Sequence, residues 1–138
     1  MQQSFSITPR IIAHFGEDLI KNDSIAILEL VKNSYDAGAT KCVVDFQTID
    51  GKLQSISIWD NGCGMSKQIV ETSWLVIGTD NKKGTEKRFG RFPLGEKGIG
   101  RLGVHKLGKE INMYSKAEGF SEVHVHIDWE KLSIAKNL

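Results

Sequence analysis

The sequence has few of the features that mark secreted, membrane or metal-bound proteins. Its only two cysteines, Cys42 and Cys63, lie far apart and match no metal-ligand spacing, so we expect free thiols in a reducing compartment. No hydrophobic run reaches the length of a membrane span, and residues 1–10 lack the apolar stretch of a signal peptide. These absences predict a soluble, cytoplasmic protein without a membrane partner.

An excess of charge of either sign is also missing. Eighteen basic and seventeen acidic residues give a formal net charge of +1, which removes any global electrostatic argument for nucleic-acid binding. The sequence shows no repeat and no low-complexity linker. Its 138 residues, of which 40% are hydrophobic, suit one domain with one core. We therefore predict a single domain over residues 1–138.

The stretch from Ser24 to Thr40 predicts a helix, because it opens on helix-start residues and closes on Gly38. Its apolar side chains (Ile27, Leu28, Leu30, Val31 and Tyr35) are expected on one side. Glu29, Asn33 and Asp36 form a stripe about 60° wide on the opposite side. A solvated helix face is the simplest interpretation. However, Asn and Asp are poor helix formers, and these side chains offer hard oxygen ligands for a cation.

The rest of the pattern predicts an α+β domain. Thr8-Pro9 opens a helix, Asp50-Gly51 is a hairpin signal, and Ser66 is a helix cap. The predicted helices cover residues 8–20, 67–77 and 98–107. The predicted strands cover residues 41–48, 53–60, 110–115 and 122–129.

Two glycine-containing segments suggest ligand contacts. In the segment from Asp60 to Met65, Gly62 and Gly64 permit a sharp turn and close approach of a ligand. Asp60 continues an apolar row and must find a donor. The exocyclic amine of adenine is one candidate, and the backbone amides of a simple turn are the other.

The second segment runs from Gly95 to Gly103 and reads GEKGIGRLG. Its free amides could cradle a phosphate at a helix N-terminus, with counter-charge from Lys97 and Arg101; a flexible hinge is the alternative. It fits neither a Walker loop nor a dinucleotide fingerprint. The preceding residues, 78–95, form a basic, glycine-rich stretch of the length expected for a functional lid.

The order E-x-x-x-N-x-x-D, D-x-G-x-G-M, a variable loop and G-x-x-G-x-G resembles the GHKL ATPase superfamily. ELVKNSYDAGAT and DNGCGM are similar to the mismatch-repair protein MutL, and WLVIGTDNKK and GEKGIGRLG are similar to the ninety-kilodalton heat-shock chaperone type. The resemblance covers residues 19–115. It implies the Bergerat fold, a two-layer α/β sandwich with a mixed sheet, and an ATP lid at about residues 78–97. Full ATPase domains of the family usually continue with more strands, so we expect a truncated version.

The resemblance also implies residue roles. Glu29 would be the general base, Asn33 would ligate Mg²⁺, and Asp36 would support the nucleotide from the same helix face. Asp60 would accept a hydrogen bond from the adenine amine. The further nucleotide contacts that it implies are Gly62, Gly64, Met65, Thr79, Lys82, Lys97, Gly98, Ile99, Gly100 and Ser115.

The sequence thus predicts a Mg²⁺-dependent ATPase, with ATP and Mg²⁺ as its ligands, whose lid closes over the nucleotide. One alternative is an ATP-gated sensor that does not hydrolyse. A histidine kinase is disfavoured, because such kinases generally lack an acid at the position of Glu29 and carry a phospho-acceptor domain upstream. The implied partners are ATP and ADP, a second copy in a homodimer, and a downstream effector domain. Contact between the basic lid and nucleic acid stays open.

His124 and His126 have the H-x-H spacing of a metal site, but no third ligand is evident. We expect them on an exposed strand face. Trp59, Trp74 and Trp129 are expected in core or edge packing.

Overall fold

The computed structural model describes residues 23–75, 86–94, 104 and 107–134. Within these ranges, helices and antiparallel strands form the α+β arrangement that the sequence predicts. The elements are α1 (Asp23–Asp36), β1 (Cys42–Ile49), β2 (Lys52–Asp60), α2 (Lys67–Ile69), a π-helical turn (Val70–Trp74), β3 (Glu110–Ser115), β4 (Val123–Asp128) and α3 (Trp129–Ile134).

Helix α1 ends where Gly38 predicts. Gly38 adopts the left-handed conformation, with φ 74°. Its N–H donates to the carbonyl of Tyr35 at 3.0 Å, and the N–H of Ala39 donates to the carbonyl of Ser34 at 3.1 Å. This pair of hydrogen bonds is the Schellman arrangement, which satisfies carbonyls that the helix itself leaves unpaired.

The buried face of α1 differs from the prediction. Ala26 and Ser34 are only 0% and 3% exposed, whereas Leu28 is 51% exposed. Ala26, Leu30 and Ser34 are four residues apart and therefore share one side of the helix. The Glu29–Asn33–Asp36 stripe is half-buried and lies next to this side, not opposite it. The predicted apolar side is therefore correct only in part: Ile27, Leu30 and Val31 are half-buried, whereas Leu28 and Tyr35 are exposed, and the most buried positions are those of small residues.

Strands β1 and β2 pair as an antiparallel hairpin, with Cys42 opposite Asp60. Asp50 and Gly51 have φ values of 50° and 72°, as a type I′ turn requires, so the predicted hairpin signal is confirmed. Ile56, Ile58 and Asp60 are half-buried, whereas Trp59, on the other face, is 55% exposed. Of the two positions expected for Trp59, core or edge packing, its exposure excludes the core.

The second hairpin pairs β3 with β4 in antiparallel register, and Ile111 is its most buried side chain. Within the described part of the chain, each hairpin forms a two-stranded sheet of its own. Among the described residues, the buried apolar side chains are those of Ala26, Ala39, Val70 and Ile111. The wider sandwich and mixed sheet stay predictions.

The helix after Ser66 is shorter than predicted. Ser66 is its N-cap, as expected, and accepts a hydrogen bond from the N–H of Ile69 at 3.4 Å. The chain then widens into the π-helical turn, in which the N–H of Leu75 donates to the carbonyl of Val70 at 2.9 Å. Thr72 Oγ1 donates to the carbonyl of Gln68 at 2.7 Å, a side-chain contact that tends to bend helices.

The predicted helix at residues 8–20, the first part of the lid and the segment from Gly95 to Gly103 lie outside the described residues. Among the helices that are described, none combines the length and the apolar character needed to cross a membrane.

Candidate functional site

The carboxylate of Asp60, at the end of β2, is held from two sides. Ser34 Oγ donates to Oδ2 at 2.8 Å, and the backbone N–H of Gly62 donates to Oδ1 at 2.8 Å. A carboxylate oxygen can accept about two hydrogen bonds, so each oxygen retains acceptor capacity. Asp60 is therefore an oriented acceptor at the end of the apolar row formed by Ile56 and Ile58.

Ser34 is the partner that sequence reasoning missed. It is almost fully buried, and its single hydroxyl proton is directed to Asp60, because the alternative acceptor, the carbonyl of Leu30, is farther away at 3.4 Å. Cys42 Sγ in turn donates to Ser34 Oγ at 3.5 Å. The signal in the sequence was a small residue in the four-residue series Ala26, Leu30 and Ser34, which places the serine on the same side of the helix as two apolar residues.

The turn that follows Asp60 is fixed to the loop between α1 and β1. Asn61 Oδ1 accepts from the backbone N–H groups of Thr40 and Lys41, both at 2.9 Å, and Asn61 Nδ2 donates to Thr40 Oγ1 at 2.8 Å. The N–H of Cys63 donates to the carbonyl of Ala37 at 2.9 Å. These hydrogen bonds hold the turn against the C-terminal end of α1.

Gly62 and Gly64 are required by packing within the protein. A Cβ at Gly62 would lie 2.7 Å from Ala37 Cβ and 2.9 Å from Asp60 Oδ1. Gly64 has φ 67°, and a Cβ there would collide with the backbone carbonyl of Lys116. Both contacts explain the glycines without a ligand, so their contact with nucleotide stays a prediction.

Ser115, from the end of β3, lies at the same turn. Its Oγ accepts a hydrogen bond from the N–H of Met65 at 2.8 Å. The structure thus brings together Asp60, Gly62, Gly64, Met65 and Ser115 from two separate hairpins. Local sequence patterns do not show this proximity, because fifty positions separate Met65 from Ser115; only the family resemblance placed both residues at one nucleotide site.

Two carboxylates of the α1 stripe have partners inside the protein. Glu29 Oε1 accepts from Lys32 Nζ at 2.8 Å, and the Glu29 side chain is 23% exposed. Asp36 Oδ1 accepts from the backbone N–H of Leu94 at 2.8 Å. Sequence reasoning missed both Lys32 and Leu94 as partners. The stripe adjoins Ser34, so it borders the side of α1 that reaches Asp60.

The stripe does not form a complete metal cage. Among the described residues, no group of three or more His, Cys, Asp or Glu side chains could hold a metal ion. A half-buried amide oxygen such as that of Asn33 fits the way proteins hold Mg²⁺, which keeps several waters and takes other ligands from substrate phosphates.

The two histidines of β4 lie on an exposed strand face, as predicted. The ring of His124 stacks on Tyr114 with centroids 4.2 Å apart, and its Nε2 lies 3.0 Å from Asn112 Oδ1. His126 Nε2 lies 3.7 Å from Glu110 Oε2. Both side chains therefore have neighbours on their own hairpin.

The remaining predicted contacts lie outside the described residues. They are Thr79, Lys82, Lys97, Gly98, Ile99 and Gly100.

The profile of the histidine kinase-, DNA gyrase B- and HSP90-like ATPases matches residues 21–137. The chain belongs to this ATPase family. The match confirms the resemblance to the GHKL superfamily, and membership supports ATP binding in general terms. It also covers the segments that carry the α1 stripe, the Asp60 turn and the glycine motif.

Individual curated proteins also match parts of the chain. The chain is 32% identical over 117 residues to a putative type II restriction enzyme, HgiDII, from Herpetosiphon aurantiacus, covering 84% of this chain and 18% of the relative. It is 36% identical over 95 residues to the DNA mismatch repair protein MutL of Lactobacillus helveticus, covering 69% and 14%. MutL of Pelotomaculum thermopropionicum is 43% identical over 51 residues, covering 37% and 8%. The chain spans less than a fifth of the length of these relatives.

Proposed function

We propose that this chain binds ATP together with Mg²⁺ and hydrolyses it. The observation that carries the proposal is the orientation of Asp60, whose carboxylate is fixed by Ser34 and Gly62 at the end of an apolar row. An acceptor with remaining lone pairs, at the end of a row of apolar side chains, suits the exocyclic amine of adenine. Met65 and Ser115, which share a hydrogen bond after the turn that follows Asp60, would line the ring.

The α1 stripe would serve the phosphate end of the nucleotide. Asn33 would hold Mg²⁺, which supplies charge neutralisation for the phosphates when bound. Glu29 would orient the attacking water and take its proton, and its ion pair with Lys32 holds Oε1 in position. The additional phosphate contacts in this proposal are Thr79, Lys82, Lys97, Gly98, Ile99 and Gly100.

Closure of a lid at about residues 78–97 belongs to the same proposal, as does a dimer that completes the site. The lid is attached to α1 near its C-terminal end, because the backbone N–H of Leu94 donates a hydrogen bond to Asp36 Oδ1. Hydrogen exchange across these residues, with and without a non-hydrolysable ATP analogue, tests the closure. Equal protection in both states contradicts it.

Replacing Glu29 tests hydrolysis directly. Glu29→Gln should lower the turnover of ATP by roughly 10²–10⁴, the usual contribution of a positioned base. The affinity for ATP should change little, because the carboxylate acts on water. Turnover and calorimetric affinity are measured side by side in a form of the protein that turns over.

Glu71→Gln is the matched control, since Glu71 is exposed and pairs only with Lys67 among the described residues. Unchanged turnover in Glu29→Gln would contradict the role of Glu29 and favour an ATP-gated sensor. Loss of ATP binding in that variant would instead assign Glu29 to ligand contact.

A further inference from the structure

Residues 86–94 contain a short hairpin. Arg88 and Arg91 exchange two backbone hydrogen bonds, of 2.8 Å and 2.9 Å, around Phe89 and Gly90. Phe89 has φ 51° and Gly90 has φ 70°, so both turn residues adopt the positive φ of a type I′ turn. A bulky residue rarely adopts this conformation, so the surroundings must stabilise Phe89 there.

The C-terminal end of α1 supplies that stabilisation. The ring of Phe89 packs on Gly38, where an added Cβ would lie 2.6 Å from Phe89 Cγ. Arg91 Nη1 donates to the carbonyl oxygens of Tyr35, at 3.1 Å, and of Ala39, at 2.8 Å. A cation at this position also complements the partial negative charge at the end of a helix.

The guanidinium of Arg91 makes a further contact through its flat face. Its central carbon lies 4.6 Å from the centroid of the Tyr35 ring. Arginine can stack and donate hydrogen bonds at the same time, because its charge is spread over a planar group. A lysine could keep the charge but could not reproduce both contacts.

The hairpin reaches the proposed site through Leu94. Its N–H donates to Asp36 Oδ1, so one oxygen of this stripe residue is engaged with the protein's own backbone. Asp36 and Asn33 are three residues apart on α1 and are therefore neighbours on the helix surface. In the sequence, Leu94 leads directly into the glycine motif at Gly95.

We infer that Arg91 is a positioning residue for the nucleotide site. It fastens residues 86–94 to the end of α1, and Leu94 thereby holds the Asp36 carboxylate beside Asn33. This inference rests on the proposed function. In this inference Asp36 binds the backbone of Leu94, whereas the family resemblance implies that Asp36 contacts the nucleotide.

Arg91→Ala is compared with Arg88→Ala, a change of the same residue type in the same hairpin. Arg88 is exposed, and its side chain contacts only the Phe89 ring among the described residues, at 5.6 Å. The measurements are hydrogen exchange at the Leu94 amide, and calorimetric affinities for Mg·ATP and for adenosine alone.

Arg91→Ala should speed exchange of the Leu94 amide and weaken Mg·ATP binding about tenfold, which corresponds to about 1.4 kcal/mol. Adenosine affinity should stay within about twofold, because the contacts of Asp60 with Ser34 and Gly62 are untouched. Arg91→Lys should fall between the wild type and Arg91→Ala, and it carries the test if the alanine variant does not fold. Arg88→Ala should match the wild type.

Three results with the variants would overturn the inference, and a fourth, with the wild type, would remove the proposed function beneath it. Unchanged exchange at Leu94 would show that Arg91 does not hold the hairpin. Faster exchange at Leu94 with unchanged Mg·ATP affinity would show that the contact of Arg91 with α1 does not affect the nucleotide site. An equal loss of Mg·ATP and adenosine affinity would indicate general damage to the fold. A wild-type protein that does not bind Mg·ATP would contradict the proposed function itself and would remove the positioning role with it.

Discussion

The Asp60 carboxylate is oriented by two hydrogen bonds, of which the sequence suggested only one. The sequence indicated that its carboxylate needed a donor, with a turn amide and adenine as the two candidates. The N–H of Gly62 satisfies Oδ1, so the turn accounts for part of the hydrogen bonding. Ser34 satisfies Oδ2 and could not be identified beforehand, because its pairing depends on how α1 packs on β2. The acceptor was predictable from the sequence, whereas its orientation was not.

Ser34→Ala tests the orientation of Asp60. Removing the hydroxyl deletes one donor to Oδ2 and lets the carboxylate turn away from the adenine amine, whose hydrogen bond to this charged acceptor would contribute about 1.5–3 kcal/mol. We expect ATP affinity, measured by calorimetry, to fall at least about tenfold. Ser57→Ala is the control, because Ser57 is exposed on β2 and lies opposite Asp45. Equal affinities for ATP in the Ser34→Ala variant and the wild type would contradict the role given to Ser34.

Helices and hairpins were predicted best where local chemistry decides the structure. Gly38 ends α1, Asp50-Gly51 makes the first turn, and Ser66 caps α2, all as the sequence indicated. The buried face of α1 was not predictable, because hydrophobic periodicity does not reveal which neighbour a helix will meet. The π-helical turn after Ile69 was also missed, because apolar periodicity does not distinguish a π-helical turn from an α-helical one.

Substituting two glycines with positive φ would distinguish the cost of backbone strain from the cost of a steric collision. Gly64 and Gly119 have φ values of 67° and 77°. Among the described residues, a Cβ at Gly64 would meet atoms of Lys116 and Ala117, whereas a Cβ at Gly119 would meet none. Gly119→Ala should lower the free energy of unfolding by about 1–2 kcal/mol through strain alone. Gly64→Ala should cost about 1–3 kcal/mol more, because the backbone must shift. Urea unfolding measures both variants, and equal losses would contradict the close approach at Gly64.

The two hairpins form one candidate site because the end of β3 meets the turn after β2. The hydrogen bond from Met65 to Ser115 joins segments whose proximity no local pattern reveals. The order of motifs along the chain nevertheless predicted the family, and the match over residues 21–137 confirms it. The Asp36–Leu94 and Arg91 contacts were not predictable, because they join parts of the chain whose sequence patterns are unrelated.

Preference for adenine over guanine tests the central claim most directly. Guanine carries a carbonyl where adenine carries the exocyclic amine, so GTP would place an acceptor against the acceptor Asp60. Calorimetric titration of the wild-type protein with Mg·ATP and Mg·GTP compares the two. The account predicts tighter binding of ATP by about 1–3 kcal/mol, or roughly 5- to 150-fold, and loss of that preference in Asp60→Asn. Equal affinity of the wild-type protein for ATP and GTP would contradict it.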